Sequence, residues 1–120
     1  MTSNRKTLSL RLGGEDETPT LGQTEILAHA IEHELCVRAL YNRGRIILAP
    51  HILYERHGEA HVDGVVLERD GAKPAEVKLG TLKIIGLRDV VMTMEPVRPM
   101  ASFDAHDPKY AEKILAVIGG

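Results

Sequence analysis

The sequence has no tryptophan, one phenylalanine and three tyrosines in 120 residues. The core must therefore be built from Leu, Ile and Val, and a platform of aromatic rings that stacks nucleic-acid bases would be thin. A single cysteine, Cys36, excludes an internal disulfide framework and a cysteine-rich zinc site, and it is typical of a reducing compartment. No apolar run approaches the roughly 20 residues of a membrane span. We therefore expect a cytoplasmic protein without a membrane partner.

Sequence signatures of catalysis are also scarce. No serine lies in a G-x-S-x-G context, and no glycine-rich phosphate loop precedes a helix. Cys36 lies between two apolar residues and is predicted to be a small buried side chain rather than a nucleophile. These absences favour a protein that is not an enzyme and that needs no cofactor.

One motif, in contrast, is typical of an enzyme. His29, Glu32 and His33 fit the H-x-x-E-H pattern in which two histidines bind zinc and a glutamate activates water. However, both histidines are expected on the helix side that faces solvent, and no third ligand is marked. The motif is therefore interpreted as a solvated helix face, with a zinc hydrolase as the remote alternative.

Charge is unevenly distributed along the chain. The net charge is −2, but residues 37 to 88 hold nine Lys or Arg against six Asp or Glu. The two flanking parts, 1 to 36 and 89 to 120, are both acidic. A modestly basic middle segment is compatible with an anionic ligand, and it is equally compatible with an ordinary mixed-charge surface.

The N-terminal part is predicted to divide into an arm and a helix. Residues 1 to 22 are expected to be a flexible arm, with a short strand at 7 to 12 where three leucines alternate with polar residues. A capping-box pattern predicts a helix from about Leu21 to Leu35, and an apolar residue at every fourth position gives it one packing face. The remaining residues, 23 to 120, are predicted to form one domain.

After the helix, the apolar residues alternate with the period of β-strands. Gly44 is predicted to supply the positive φ of the turn between the first two strands. Near the other end of the chain, Asp107 followed by Pro108 predicts a C-terminal helix to about Ile118. The predicted fold is mainly β (α+β): a small five-stranded Sm/SH3-like, partly open barrel with one N-terminal and one C-terminal helix. The five predicted strands are Leu35 to Tyr41, Arg45 to Tyr54, Glu59 to Leu67, Val77 to Ile85 and Val90 to Glu95.

A set of polar side chains on these strands forms the candidate binding site. The strand periodicity predicts that they lie on outward positions of neighbouring strands and converge on one side of the barrel. There, Lys and Arg would hold an anion such as phosphate. The predicted ligand-binding residues are Arg43, Arg45, His51, His61, Asp63, Lys78 and Lys83.

A second interpretation is a protein-interaction module. Val65, Leu67 and Ile85 are apolar residues predicted at outward strand positions. Such residues could form a homodimer interface or bind a regulatory protein partner.

The order of motifs resembles a WYL domain, a small Sm-like ligand-sensing module found mostly in bacterial transcription regulators. Ala49 to Tyr54 resembles the proline-containing second strand of that family, and Leu82 to Leu87 resembles its later F-R-L-D-R-I motif. Ala60-His61-Val62 occupies the place of the Trp-Tyr-Leu signature and is followed by Asp63-Gly64. The resemblance extends over about residues 30 to 95.

The resemblance implies a function in which basic and polar residues of the sheet bind single-stranded nucleic acid or a nucleotide. Lys83 matches one of the family's basic positions, whereas Gly86 stands where the later motif has a second arginine. Residues 1 to 22 are too few for the family's usual helix-turn-helix. We therefore expect a divergent, free-standing WYL-like module with a role in regulation.

Overall fold

The computed structural model describes residues 19 to 119, so the strand predicted at 7 to 12 lies outside the described residues. One helix is followed by an antiparallel sheet of six strands. Helix α1 spans Pro19–Glu32. The strands are β1 Leu35–Tyr41, β2 Gly44–Arg56, β3 Glu59–Arg69, β4 Leu79–Lys83, β5 Leu87–Pro96 and β6 Lys113–Val117.

The strand order is β4-β3-β2-β1-β5, with β6 paired to β2. The first three strands are joined by tight turns, while β5 returns to pair with β1. A 3₁₀ turn at Ile84–Gly86 links β4 directly to β5. The predicted mainly β class is therefore confirmed at the level of an open antiparallel sheet with one helix. Among the described residues, no helix is long and apolar enough to cross a membrane.

Strand β2 has 13 residues and contacts three other strands. Its first half pairs with β1 up to Leu48, and on the same edge its second half pairs with β6 from Ile52 onward. Pro50 lies in the gap between these two ladders, where a missing N–H costs no strand hydrogen bond. The proline therefore lies inside one long strand, at the point where its partner changes.

The main core lies between α1 and the inner face of the sheet. Leu27 and Ile31 of the helix are fully buried against Leu48, Val62 and Ile84, among other apolar residues. This arrangement confirms the predicted apolar face of the helix. The helix itself begins at Pro19 and ends at Glu32, so it includes part of the predicted arm and stops earlier than predicted.

The predicted C-terminal helix is wrong. Asp107 does cap a turn, because its side chain accepts a hydrogen bond from the Lys109 N–H at 2.9 Å, but the turn ends at Tyr110. The chain then extends into β6, which pairs with β2. The available edge of β2 offers a full ladder of hydrogen bonds, and tertiary pairing has therefore overridden the local helix signal.

The first hairpin turn also differs from the prediction. Tyr41 pairs directly with Gly44, so the turn consists of two residues, Asn42 and Arg43, with φ of 50° and 66°. Two consecutive positive φ values are typical of a type I′ turn. Gly44 is not among the residues with positive φ; instead, a Cβ atom there would lie 3.2 Å from the Arg69 guanidinium carbon.

Gly64 and Gly80 offer a matched test of close strand packing. A Cβ atom at Gly64 would lie 2.5 Å from the Ala49 carbonyl oxygen and 3.0 Å from Pro50 Cα, whereas a Cβ at Gly80 would meet no atom within 4 Å. We expect Gly64→Ala to lower the free energy of unfolding by about 2 kcal/mol or more, since backbone must move. Gly80→Ala should change it by less than about 0.5 kcal/mol. Urea unfolding of both variants measures this, and equal effects would contradict the packing at Gly64.

Candidate ligand-binding site

The predicted site residues do not share one surface. In the β2–β3 ladder, Ile46 pairs with Arg69 at one end and Tyr54 pairs with His61 at the other. Arg45 therefore lies at the opposite end of the ladder from His61, about 30 Å away at roughly 3.3 Å per residue along the strand. The single convergent face expected from strand periodicity is not formed.

His51 is fully buried and is not a surface residue. Its Nδ1 lies 2.9 Å from the Ala49 carbonyl oxygen, and its Nε2 accepts a hydrogen bond from the Met100 N–H at 3.0 Å. This pattern requires the neutral imidazole with the proton on Nδ1. Burial lowers the pKa of His51 below its usual value, although the Ala49 carbonyl and the Asp63 carboxylate act in the opposite direction. His51 thus fixes the segment that contains Met100.

Asp63 is also buried, with only 3% of its surface exposed. Its Oδ1 accepts hydrogen bonds from the hydroxyls of Tyr54 and Thr81, both at 2.7 Å. Its Oδ2 accepts from the Tyr110 hydroxyl at 2.6 Å and lies 2.8 Å from Lys109 Nζ. One carboxylate therefore has four donors, and none of its capacity remains for a ligand.

The pKa directions in this cluster follow from the contacts. Burial alone would raise the pKa of Asp63, but its four hydrogen bonds outweigh this effect and hold the pKa below the usual value. Burial and the bond to Asp63 raise the pKa of Tyr54 to about 12 and raise that of Tyr110 further. The cluster is therefore a carboxylate with neutral phenols and a lysine ammonium, which is an arrangement that stabilises structure.

These contacts attach the C-terminal segment, residues 97 to 117, to the outer face of β2, β3 and β4. Tyr110 also packs edge-on against Tyr54, with the ring centroids 4.8 Å apart. Lys109 keeps 30% of its side chain exposed. The outward surface of β3 around Asp63 is consequently covered by the protein's own chain.

His61 and Lys83 are cross-strand neighbours at the far end of β3 and β4. The His61 ring stacks on Tyr54 at 5.5 Å and its Nδ1 lies 3.0 Å from the Glu59 carbonyl oxygen. Lys83 forms an exposed ion pair with the Glu59 carboxylate at 3.4 Å. Both side chains therefore have partners within the chain.

The other two predicted residues are isolated on the surface. Lys78 is exposed in the loop that precedes β4, not on the strand as predicted. Arg43 is exposed in the β1–β2 turn. Neither contacts another predicted site residue through a hydrogen bond or ion pair within residues 19 to 119.

Arg45, by contrast, lines a cleft of about 600 Å³ together with Arg38. The two arginines lie on neighbouring strands, since Arg38 belongs to β1 and Arg45 to β2. Leu40, Ile47 and Val91 provide apolar walls, among other lining residues. In the described part of the chain, no carboxylate lies within 4.0 Å of either guanidinium. The cleft therefore presents two guanidinium groups that form no ion pair within the described residues.

Arg38 is a functional candidate that sequence reasoning missed, although the signal was present. Val37 and Ala39 are buried, so strand alternation alone places Arg38 on the outward side. The pairing of Leu40 with Arg45 across a two-residue turn then places Arg38 and Arg45 on the same side of two adjacent strands.

Lys109 and Tyr110 had no comparable signal, because they lie more than forty residues from Asp63 in sequence.

His29 and Glu32 lie in α1 and His33 lies in the turn that follows it, and all three side chains are exposed. The rings of His29 and His33 are parallel, with centroids 6.3 Å apart. No group of three or more His, Cys, Asp or Glu side chains in residues 19 to 119 is arranged to hold a metal ion. His29 borders an apolar cleft that is otherwise lined by Ile26, Val90, Val91 and Met92, but the described residues supply no third ligand there.

The three apolar residues proposed for an interface differ from one another in their exposure to solvent. Val65 is buried and Leu67 is half-buried, because Val97 and Met100 of the C-terminal segment pack over them with Cys36. Ile85 remains 73% exposed. Burial, followed by the nearby Glu95, raises the pKa of the Cys36 thiol to about 11, so the thiol stays neutral in this packed cluster.

The Asp63 cluster predicts a large and specific cost of substitution. Asp63→Asn keeps the shape of the side chain but replaces one acceptor oxygen with a donor that faces hydroxyls and an ammonium. We expect a loss of about 3 kcal/mol in the free energy of unfolding, measured by urea denaturation. Asp104→Asn, an exposed carboxylate in the same C-terminal segment, is the control and should cost less than about 0.5 kcal/mol. Equal effects would show that the buried carboxylate does not fix this segment.

His51 predicts how stability depends on pH. Since its pKa is lowered by folding, the unfolded chain takes up a proton at about pH 6.5 and the folded chain does not. The contribution of neutral His51 to the free energy of unfolding is therefore complete above about pH 6.5. Below that pH, the free energy of unfolding falls by up to about 1.4 kcal/mol per pH unit. Urea unfolding between pH 8 and pH 5 measures this slope. The slope of the free energy of unfolding against pH should be smaller in His51→Asn than in the wild type, and it should be unchanged in His29→Asn. An unchanged slope in His51→Asn would assign the effect to other groups.

Comparison of the chain with protein-family models, with curated proteins and with solved structures finds no match. The functional argument for this chain therefore depends on the chemistry of its own clefts.

Proposed function

We propose that this chain is a non-enzymatic regulatory or ligand-binding module that recognises a phosphate-containing ligand, such as single-stranded nucleic acid or a nucleotide. The observation that carries the proposal is the cleft lined by Arg38 and Arg45, whose guanidinium groups have no carboxylate within 4.0 Å among the described residues. Arginine binds phosphate through parallel N–H···O hydrogen bonds, and two guanidinium groups in one cleft can share the oxygens of one phosphate group.

The acidic residues of the cleft restrict which phosphate-containing ligands can bind there. Glu68 and Asp89 line it as well, and neither lies within 4.0 Å of an arginine or lysine nitrogen in residues 19 to 119. Their carboxylates can accept hydrogen bonds from hydroxyl or amino groups of the ligand, and they would repel a second phosphate group. A ligand with one anionic group and nearby hydrogen-bond donors matches this set.

The sheet is consistent with a partly open Sm-like barrel of the WYL kind. The support consists of a helix followed by five consecutive strands, of which the fifth returns to pair with the first. The family resemblance emphasises the end that carries His61 and Lys83. The proposal made here instead depends on the Arg38–Arg45 cleft, because neither guanidinium group forms an ion pair within the described chain.

Substitution of the two arginines tests the proposal. We expect Arg38→Ala and Arg45→Ala each to weaken binding of a labelled phosphate ligand, and the double variant to weaken it by at least about 10-fold, since two charge-assisted contacts are lost. Fluorescence anisotropy with a labelled mononucleotide and a labelled oligonucleotide, at 50 and 200 mM salt, measures binding. The affinity of the wild type should fall at the higher salt concentration.

Arg56→Ala, an exposed arginine at the far end of β2, is the matched control and should bind as the wild type does. Lys83→Ala tests the opposite end of the sheet. Binding that survives the double substitution, or a wild type that binds none of these probes at low salt, would contradict the proposal.

A further inference from the structure

A second cleft adjoins the Arg38–Arg45 cleft. It has a volume of about 580 Å³ and shares Glu68 with the first. A cleft of this size lies within the range that holds small-molecule ligands. Because Glu68 borders both, the two clefts are neighbours on the surface.

The two clefts differ in chemistry. The second is lined mainly by apolar side chains, which include Leu67, Val77 and Met100 together with two prolines. No aromatic ring of the described chain lines either cleft. An apolar group can be buried in the second cleft by the hydrophobic effect, whereas base stacking on an aromatic ring has no partner there.

The wall formed by the C-terminal segment is held in place. The Met100 N–H donates to buried His51 at 3.0 Å, and the Val97 N–H donates to the Glu34 carbonyl oxygen at 2.8 Å. Val97 is itself buried, in one cluster with Cys36. This wall of the apolar cleft is therefore formed before a ligand enters, which reduces the ordering cost of binding.

Charge along the combined clefts favours one anionic group only. Beyond Glu68, the second cleft has two cations, Lys73 and Arg98, and one further carboxylate, Glu95. A nucleic-acid strand needs a row of cations for successive phosphates. Here a pair of arginines is followed by Glu68 and then by a mainly apolar wall, in which Lys73 and Arg98 are balanced in number by Glu68 and Glu95. This order matches a molecule with a phosphate at one end and an apolar group at the other.

We propose that the two clefts form one site for an amphiphilic phosphate monoester, with the phosphate held by Arg38 and Arg45 and the apolar group in the cleft lined by Leu67, Val77 and Met100. This inference depends on the proposed function, and it specifies the part of the ligand that lies beyond the phosphate.

Three probes separate the two ends of the site. Isothermal titration calorimetry of the full chain compares inorganic phosphate, octyl phosphate at a concentration at which it is monomeric, and 1-octanol. Octyl phosphate should bind at least about 10-fold more tightly than inorganic phosphate, because several methylene groups leave water. It should also bind more tightly than a mononucleotide or an oligonucleotide. Octanol should bind weakly, since it lacks the anionic group.

Two exposed apolar residues provide a matched pair of variants. Val77 is 57% exposed in the second cleft, and Ile85 is 73% exposed outside both clefts. Val77→Asn adds polarity without charge and should reduce octyl phosphate affinity to within about 3-fold of that for inorganic phosphate. The same variant should bind inorganic phosphate normally, and Ile85→Asn should bind both probes as the wild type does.

The outcomes distinguish this inference from the proposed function. If inorganic phosphate or a nucleotide binds through Arg38 and Arg45 but the octyl chain adds no affinity, the inference is overturned and the proposed function stands. The inference is also overturned if Val77→Asn and Ile85→Asn behave alike, or if a nucleotide binds more tightly than octyl phosphate. If no phosphate-containing probe binds, both are overturned.

Discussion

The buried carboxylate of Asp63 is the interaction on which the rest of the structure depends. A carboxylate removed from water is costly unless every acceptor position is used, and here three hydroxyls and one ammonium supply the donors. Two of these donors, from Lys109 and Tyr110, belong to the C-terminal segment. The desolvation cost of Asp63 is therefore compensated only when this segment lies on the sheet.

The position of the C-terminal segment in turn determines which surface is available. It covers the outer face around Tyr54 and Val65, and through Met100 it forms one wall of the apolar cleft. The arginine cleft lies on the part of the sheet that this segment leaves open. The structural role and the proposed binding role thus fall on different residues: Asp63 and His51 hold the chain together, whereas the proposed ligand site depends on Arg38 and Arg45.

Local patterns predicted the parts of the fold in which each residue's environment depends on its neighbours in sequence. The alternation in β1 to β3 and the apolar face of α1 are of this kind. The segment after Asp107 was predicted to be helical because its cap is a local signal, yet its structure is decided by the edge of β2, more than fifty residues away. Distant pairing is not visible in a single sequence, and β6 was missed for that reason.

In the candidate site, too, features that depend on neighbours in sequence were predicted, and features that depend on distant contacts were not. His61 and Asp63 were correctly assigned to one side of β3, but the sequence could not reveal that a later segment would cover that side. His51 was interpreted as an outward polar residue, although it accepts a backbone hydrogen bond from Met100. Arg45 was predicted, and Arg38 could have been, because strand period and turn length together determine which side chains are neighbours across a hairpin.

The division of one β2 edge between β1 and β6 has a consequence for folding. The β1–β2 hairpin closes across two residues, whereas Ile52 and Val117 meet across 65 residues of chain. Closing the longer loop carries a larger entropic cost, and contacts of high sequence separation slow folding. Until β6 arrives, the second half of β2 has an open edge that can pair with another chain. Early in folding, Pro50 therefore marks the boundary between a part of β2 that is already paired and a part that is exposed to aggregation.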